Sequence, residues 1–273
     1  MADISRIYKY KEMQNYMVEI DAILSPEEKL PETDSWLVVD LFRATSNIVH
    51  FFHLGGKALI PVEDVQEAGE LKKRNGKDWL LMGERKALPP LGFDFGNSPL
   101  EYSRELLERK PFAVLTTTNG TRAALRAEKT GAPVYAACAR NATAAVEKAL
   151  AAGRRICLLC AGSEGRVALE DVVCCGLLAD IVKRETGSCV MSDGALVALA
   201  LWEGCSGDLS AGVEEAEHCG ILKELGFGRD VDFCCETDRT EVVPWLLSRS
   251  KYPVFVPCQL DSYTYNSIDI HDS

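Results

Sequence analysis

The sequence predicts an α/β fold, a three-layer α/β/α arrangement on a mostly parallel or mixed sheet, and three observations carry that expectation. Short apolar runs alternate with segments of helical periodicity between residues 37 and 159. The connections between them are rich in Gly, Thr, Asn and charged residues, and the polar clusters repeatedly follow the carboxyl end of an apolar run. A chain of 273 residues, 47% hydrophobic and 26% charged, has enough apolar residues for one large domain or for two intimately packed lobes.

The elements follow in order. Leu37–Leu41 reads as a strand and Thr45–Leu54 as a helix stopped by Gly55-Gly56. Ala58–Val62 is strand-like, and Val65–Arg74 is a helix ended by Asn75-Gly76. Trp79–Met82 is a third strand, followed by a long polar connection and a helix over Leu100–Leu107. Phe112–Leu115 is the fourth strand and Gly120–Ala127 the next helix. Val134–Ala137, Ala142–Leu150 and Ile156–Leu159 continue the alternation. From Leu169 the pattern turns helical, with segments to about Glu185, over Asp193–Trp202 and over Ala211–Leu225. Short strands are expected over Val231–Cys235 and Val254–Pro257, and Gly187-Ser188 is a weak boundary between lobes.

Composition narrows the function. The opening Met1–Arg6 lacks the basic end and apolar run of a secretory signal, and no apolar stretch reaches membrane-spanning length, so a cytoplasmic protein without a membrane partner is expected. Eleven cysteines on apolar segments, without the spacing of a disulfide scaffold or zinc knuckles, read as buried reduced thiols. A formal charge of −11 disfavours nucleic acid, whose phosphates need clustered Lys and Arg. A small anionic substrate would therefore need a local positive site.

Four polar clusters stand at strand ends, where ligands gather in open α/β sheets. They are Asp40–Thr45, Glu84-Arg85, Thr116–Thr121 and Cys160–Gly165, joined by the long Gly92–Pro99 loop with Phe93 and Phe95 as anchors. Hydroxyl, amide and glycine turns at helix amino termini offer N–H groups to an anion, and Arg43 or Arg85 adds a bidentate charge. These residues describe a phosphate or sulfonate site built from Arg43, Thr45, Arg85, Asn97, Ser98, Thr118, Asn119, Gly120, Thr121 and Gly162. Carboxylates nearby, Asp40, Glu84, Asp94, Glu170 and Asp171, would repel an anion unless a hard divalent cation intervenes. Magnesium fits that donor set, with Asp40, Glu84, Glu170 and Asp171 as its candidate ligands. Glu170 and Asp171 also suit the start of a helix through its dipole, whereas an acid ending an apolar strand, as Asp40 does, is costly unless paired or metal-bound.

These blocks together resemble the 2-phosphosulfolactate phosphatase family. Asp40–Ser46 matches its D-V-L-R-A-T-T block, Gly83–Arg85 its G-E-R, Gly92–Pro99 its G-F-D-F-G-N-S-P, and Thr117–Thr121 its T-T-N-G-T. Cys160–Asp171 matches C-A-G-x-x-G…L-E-D, and similarity runs on through Asp193–Ala195, His218–Gly220 and Val242–Pro244, so it covers roughly Met17 to Leu247. Phe42, Ser46 and Cys219 depart from the family pattern. The resemblance implies a dedicated α/β domain over 17–250, with a sub-lobe boundary near 187, an amino-terminal extension over 1–16 and a carboxyl-terminal strand and tail over 251–273. It also implies magnesium, hydrolysis of (2R)-2-phospho-3-sulfolactate to 3-sulfolactate and phosphate, and a role in coenzyme M biosynthesis.

Mechanism stays open between two routes. In one, magnesium clamps the phosphate while a carboxylate such as Asp40 attacks or activates water. In the other, Cys160 attacks within Cys160–Arg166, a C-x5-R pattern that also arises by accident. Arg43 would stabilise the transferring group, one of Arg43 and Arg85 would read the sulfonate, and His218 would protonate the leaving alkoxide. Other small 2-phospho acids, such as phospholactate or phosphoglycolate, and a non-catalytic anion-binding role are the alternatives. A homo-oligomer is compatible with all of them.

Overall fold

A computed structural model describes residues 17–248 and 251–258, so the 1–16 extension and the tail from residue 259 lie outside the described residues. Ten strands build one sheet: β1 (Val18–Ile23), β2 (Ser35–Val39), β3 (Ala58–Pro61), β4 (Trp79–Gly83), β5 (Phe112–Thr116), β6 (Val134–Ala137), β7 (Arg155–Cys160), β8 (Cys189–Met191), β9 (Pro244–Leu247) and β10 (Val254–Pro257). Their spatial order is β4-β5-β3-β10-β9-β6-β2-β7-β1-β8. The helices are α1 (Ala44–His53), α2 (Val65–Asn75), α3 (Arg104–Arg109), α4 (Gly120–Glu128), α5 (Ala142–Ala152), α6 (Leu169–Thr186), α7 (Asp193–Gly204), α8 (Leu209–Val213), α9 (Glu217–Glu224) and α10 (Gly228–Cys235). All five residues of β2 are buried, as a central strand covered on both faces requires, and the whole is the expected three-layer α/β arrangement.

Strand polarity divides the sheet. β6, β2, β7, β1 and β8 form one parallel block, and β4, β5 and β3 form another. Between them, β6 is antiparallel to β9, β9 to β10 and β10 to β3, so the two blocks run in opposite senses. Sheet twist of about 20–25° per strand accumulates to about 110° over the five steps from β5 to β2 and turns these nominally opposed directions toward one another. The loops after β2, β4, β5 and β7 consequently meet, although the four strand ends are not equivalent positions in one parallel sheet.

Several local expectations change. Val231–Cys235 is helical, not a strand: Val231, Cys234 and Cys235 are buried while Asp232 is exposed, the spacing of one helix face. The helix expected over Ala211–Leu225 is two helices, because Ala216 takes an extended conformation between α8 and α9. The helix expected from Leu100 begins at Arg104. β1, β8 and β9 had no clear sequence signal; β8 is three residues long, and β9 opens on a proline. Gly187 ends α6 in the left-handed conformation. All eleven cysteines are free, and eight are buried.

Candidate active site

The site begins where β2 ends. The Asp40 N–H donates to Thr45 Oγ1 (3.0 Å), its carbonyl accepts from the Thr45 N–H (3.1 Å) and hydroxyl (2.9 Å), and its Oδ1 accepts from the Ala44 N–H (2.9 Å). Thr45 thus locks the acid at the start of α1. Opposite lies the first residue of α4: a Cβ on Gly120 would stand 2.6 Å from Asp40 Oδ2 and 2.5 Å from the Ala44 side chain. Only glycine allows that helix amino terminus to approach the carboxylate so closely.

Three further acids surround Asp40, and they divide by what holds them. Glu84 accepts from the N–H groups of Thr118 (2.7 Å) and Ala87 (3.0 Å), fastening the loop after β4 to the loop after β5. Asp171 accepts from Leu41 (2.9 Å) and Gly162 (3.0 Å), fastening the loop after β2 to that after β7. Gly162 takes a positive φ of 69°, and a side chain there would meet the Arg166 carbonyl. Glu170 instead faces His218, whose Nδ1 lies 3.4 Å from its Oε1. Glu84 and Asp171 are therefore loop fasteners through both oxygens, whereas Asp40 Oδ2 and the second Glu170 oxygen have no hydrogen-bond partner among the described residues.

The electrostatics follow from burial and crowding. Burial pushes Asp40 up to about 6, with Glu84 and Glu170 adding to it and the Ala44 N–H and His218 opposing it. Burial, together with the Asp40 and Glu170 charges, raises Asp171 well above the usual carboxylate range. Burial alone would depress His218, but its hydrogen bond to Glu170 and the charges of Glu170 and Asp40 outweigh that, and its pKa is raised. The imidazole therefore favours its protonated form beside the acid cluster.

The remaining predicted residues are nearby but otherwise engaged. Arg43, joined to Phe42 by a cis peptide bond, buries its guanidinium over the Phe227 ring and bonds Asp230 Oδ2 (2.7 Å) and the Ala87 carbonyl (2.8 Å). Ser98 donates to the other Asp230 oxygen (2.8 Å), and the Asn97 side chain accepts from Asn47 (3.0 Å), so both hold the Gly92–Pro99 loop in place. The Arg85 fork bonds the carbonyls of Glu84 and Glu63 and the Thr116 hydroxyl. Thr121 exchanges hydrogen bonds with Thr117, and Asn119 Oδ1 accepts from the Glu164 N–H. Cys160 is buried with its sulfur 3.5 Å from that of Cys175, and Arg166 is exposed at the far side of a Ser163–Arg166 turn, so the thiol and guanidinium of the C-x5-R pattern do not share a phosphate cradle. Sequence reasoning missed Asp230 and Phe227: they are 187 and 184 residues from Arg43, and nothing in their own segment marks them as its partners.

Among the described residues no three His, Cys, Asp or Glu side chains form a ready-made metal cage, and no helix is long and apolar enough to cross a membrane. Fold and site define an α/β protein with an acid-lined site at converging strand ends, and the likeness to known proteins makes it a phosphoric monoester hydrolase. The chain belongs to the 2-phosphosulpholactate phosphatase family, whose model matches residues 22–249. It is 37% identical over 228 residues to a probable 2-phosphosulfolactate phosphatase of Pseudothermotoga lettingae, covering 82% of this chain and 94% of that one. Proteins of the same name from Thermotoga petrophila (38% over 231 residues; 84% and 96% covered) and Clostridium acetobutylicum (33% over 230 residues; 83% and 97% covered) are similar to it along the same region.

Proposed function

We propose that this chain hydrolyses (2R)-2-phospho-3-sulfolactate to 3-sulfolactate and phosphate with the help of magnesium, in the cytoplasm and in the service of coenzyme M biosynthesis. The observation that carries the reading is a crowd of buried carboxyl groups beside a helix amino terminus: among the described residues, Asp40, Glu84, Glu170 and Asp171 have the His218 imidazole and an Arg43 already paired with Asp230 for company. Such crowding suits a bound cation. Magnesium commonly uses one or two carboxylates together with substrate phosphate and water, and the open oxygens of Asp40 and Glu170 fit that donor set. When bound, it supplies neutralisation of the phosphoryl oxygens.

The chain's own residues supply the rest. Gly120 sets the amino-terminal end of α4 against Asp40, where the positive end of the helix dipole favours a bound anion. His218, held protonated by Glu170, delivers a proton to the departing alkoxide oxygen. Asp171 and Glu84 keep the converging loops in register through four backbone N–H bonds. Asp40 attacks or orients the attacking water.

The engagement of both arginine forks by protein acceptors favours a second reading in which substrate choice is broader, extending to 2-phospholactate or phosphoglycolate. Phosphate release from the three substrates, measured with magnesium and in excess chelator, tests both readings. Release from phosphosulfolactate that disappears with chelator is expected. Undiminished release in chelator would sink the magnesium reading, equal rates on all three substrates would favour the broader specificity, and no release from any would favour a binding role.

A further inference from the structure

The two edges of the sheet are treated differently. At β4 the edge is covered: the N–H groups of Asp94 and Phe95 bond the Leu81 carbonyl, the Leu81 N–H bonds the Asp94 carboxylate, and the Gly83 N–H reaches the carbonyls of Phe95 and Gly96. At β8 no described residue plays that part, and the strand is Cys189-Val190-Met191, without the lysine, proline or charge that blunts free edges. Immediately after it, α7 carries no polar side chain from Gly194 through Trp202. Its inner face packs on α6 and β1, yet its outer face presents Leu196, Val197 and Leu201 at 50%, 49% and 40% exposure, with Ala200 between them. A helix apolar on every side belongs in an interior.

We propose that β8 and the outer face of α7 form a two-fold interface between two copies of this chain. A two-fold axis normal to the sheet at its β8 edge would set β8 antiparallel to its copy and complete the open backbone edge. Helices on one sheet face stand about 10 Å apart, about two strand spacings, so the same operation brings the two α7 faces into antiparallel packing range. Asp193 at the amino-terminal end of α7 would face the carboxyl-terminal end of the copy, where Lys183 and Glu203 already pair at 3.4 Å, so the side-chain charges there neither favour nor oppose the arrangement. The opposed helix dipoles favour it. The apolar stripe alone, a few hundred Å² per copy, is smaller than the roughly 800 Å² per partner of a stable interface. Pairing of the two β8 strands would extend the contact beyond the stripe. One symmetry operation thus satisfies two separate unfilled features, which a partner of unrelated shape would do only by coincidence.

Sedimentation velocity of the full chain should give twice the 30.0 kDa protomer mass at micromolar concentration. Leu196→Glu and Leu201→Glu, at half-exposed positions that spare the core, should each raise the dissociation constant at least about tenfold. Leu196→Ala, a milder change, should weaken it in the same direction if either charged variant misfolds. Hydrogen exchange supplies the second arm: protection over residues 189–204 should rise with protein concentration. A monomeric wild type, or a dimer indifferent to all three variants, overturns the proposal. So does protection independent of concentration, which would assign the surface to a segment of the same chain.

Discussion

Arg43 and Asp40 lie three residues apart, both buried, in opposite electrostatic states. Arg43 is compensated: Asp230, a backbone carbonyl and an aromatic face take up its charge, and Ser98 takes up the remaining Asp230 oxygen. Asp40 sits among three more carboxylates with one imidazole opposing them. A closed ion pair fixes elements in place and is ready for nothing further. An uncompensated cluster is unstable on its own account and gains most when a cation or a proton arrives. The difference separates a fastening point from a reacting one more clearly than residue type does, since Arg alone would be taken for a substrate clamp.

Replacement of Asp40 by Asn tests the reacting side and should have the largest effect. Phosphatase activity should fall by about 10³-fold or more. In metal-free buffer the same variant should be the more stable protein. The acid's folded-state pKa is raised to about 6, so the wild type holds its proton more tightly when folded and loses stability as pH rises from about 4 to about 6. The variant's Tm should therefore exceed wild type by several degrees at pH 8 and converge with it near pH 4. A lower Tm at pH 8 would mean that Asp40 is a structural acid.

On the fastening side, Asp230→Asn should lower stability by about 3–5 kcal/mol, because it strands a buried guanidinium. Urea unfolding would measure it. The double variant Arg43→Met, Asp230→Leu should recover much of the loss, and failure to recover would show that Arg43 carries more than the pair.

Gly120→Ala lies on the border between the two regions. Its Cβ would press on Asp40 Oδ2 and the Ala44 side chain, so kcat should fall by about 10- to 100-fold with a stability loss of about 1–3 kcal/mol. An unchanged kcat would place the reaction away from the α4 amino terminus.

Cys160→Ser should do least, leaving activity within about threefold of wild type, because the thiol faces Cys175 in the core. A loss of several orders of magnitude, with the fold intact by circular dichroism, would instead restore the thiol as nucleophile.

Much of the fold was legible because period decides it: β2 through β7 and most helices carry apolar spacing that only one backbone conformation can bury. The failures have physical causes. β8 is three residues long and carries no period, and Val231–Cys235 presents two adjacent cysteines whose helical face emerges only once their buried partners are known. In the site, the clustering of Asp40, Glu84, Glu170, Asp171 and His218 was legible from their positions at strand ends and helix starts. Their separate duties were not, since nothing local tells Asp171, fastening Leu41 to Gly162, from Glu170, facing His218.

What the sequence by itself determined was the alternation of elements, the glycine at the α4 start and the concentration of acids and hydroxyls in a few loops. These are local matters, set by side-chain period, by the φ and space that only glycine tolerates, and by the cost of burying charge without purpose. Tertiary structure alone decided that the two parallel blocks oppose one another, that twist nevertheless brings their loops together, and that Asp230 rather than a substrate answers Arg43. The reason is that partners up to 187 residues apart become neighbours only when whole elements pack together, which no single segment encodes.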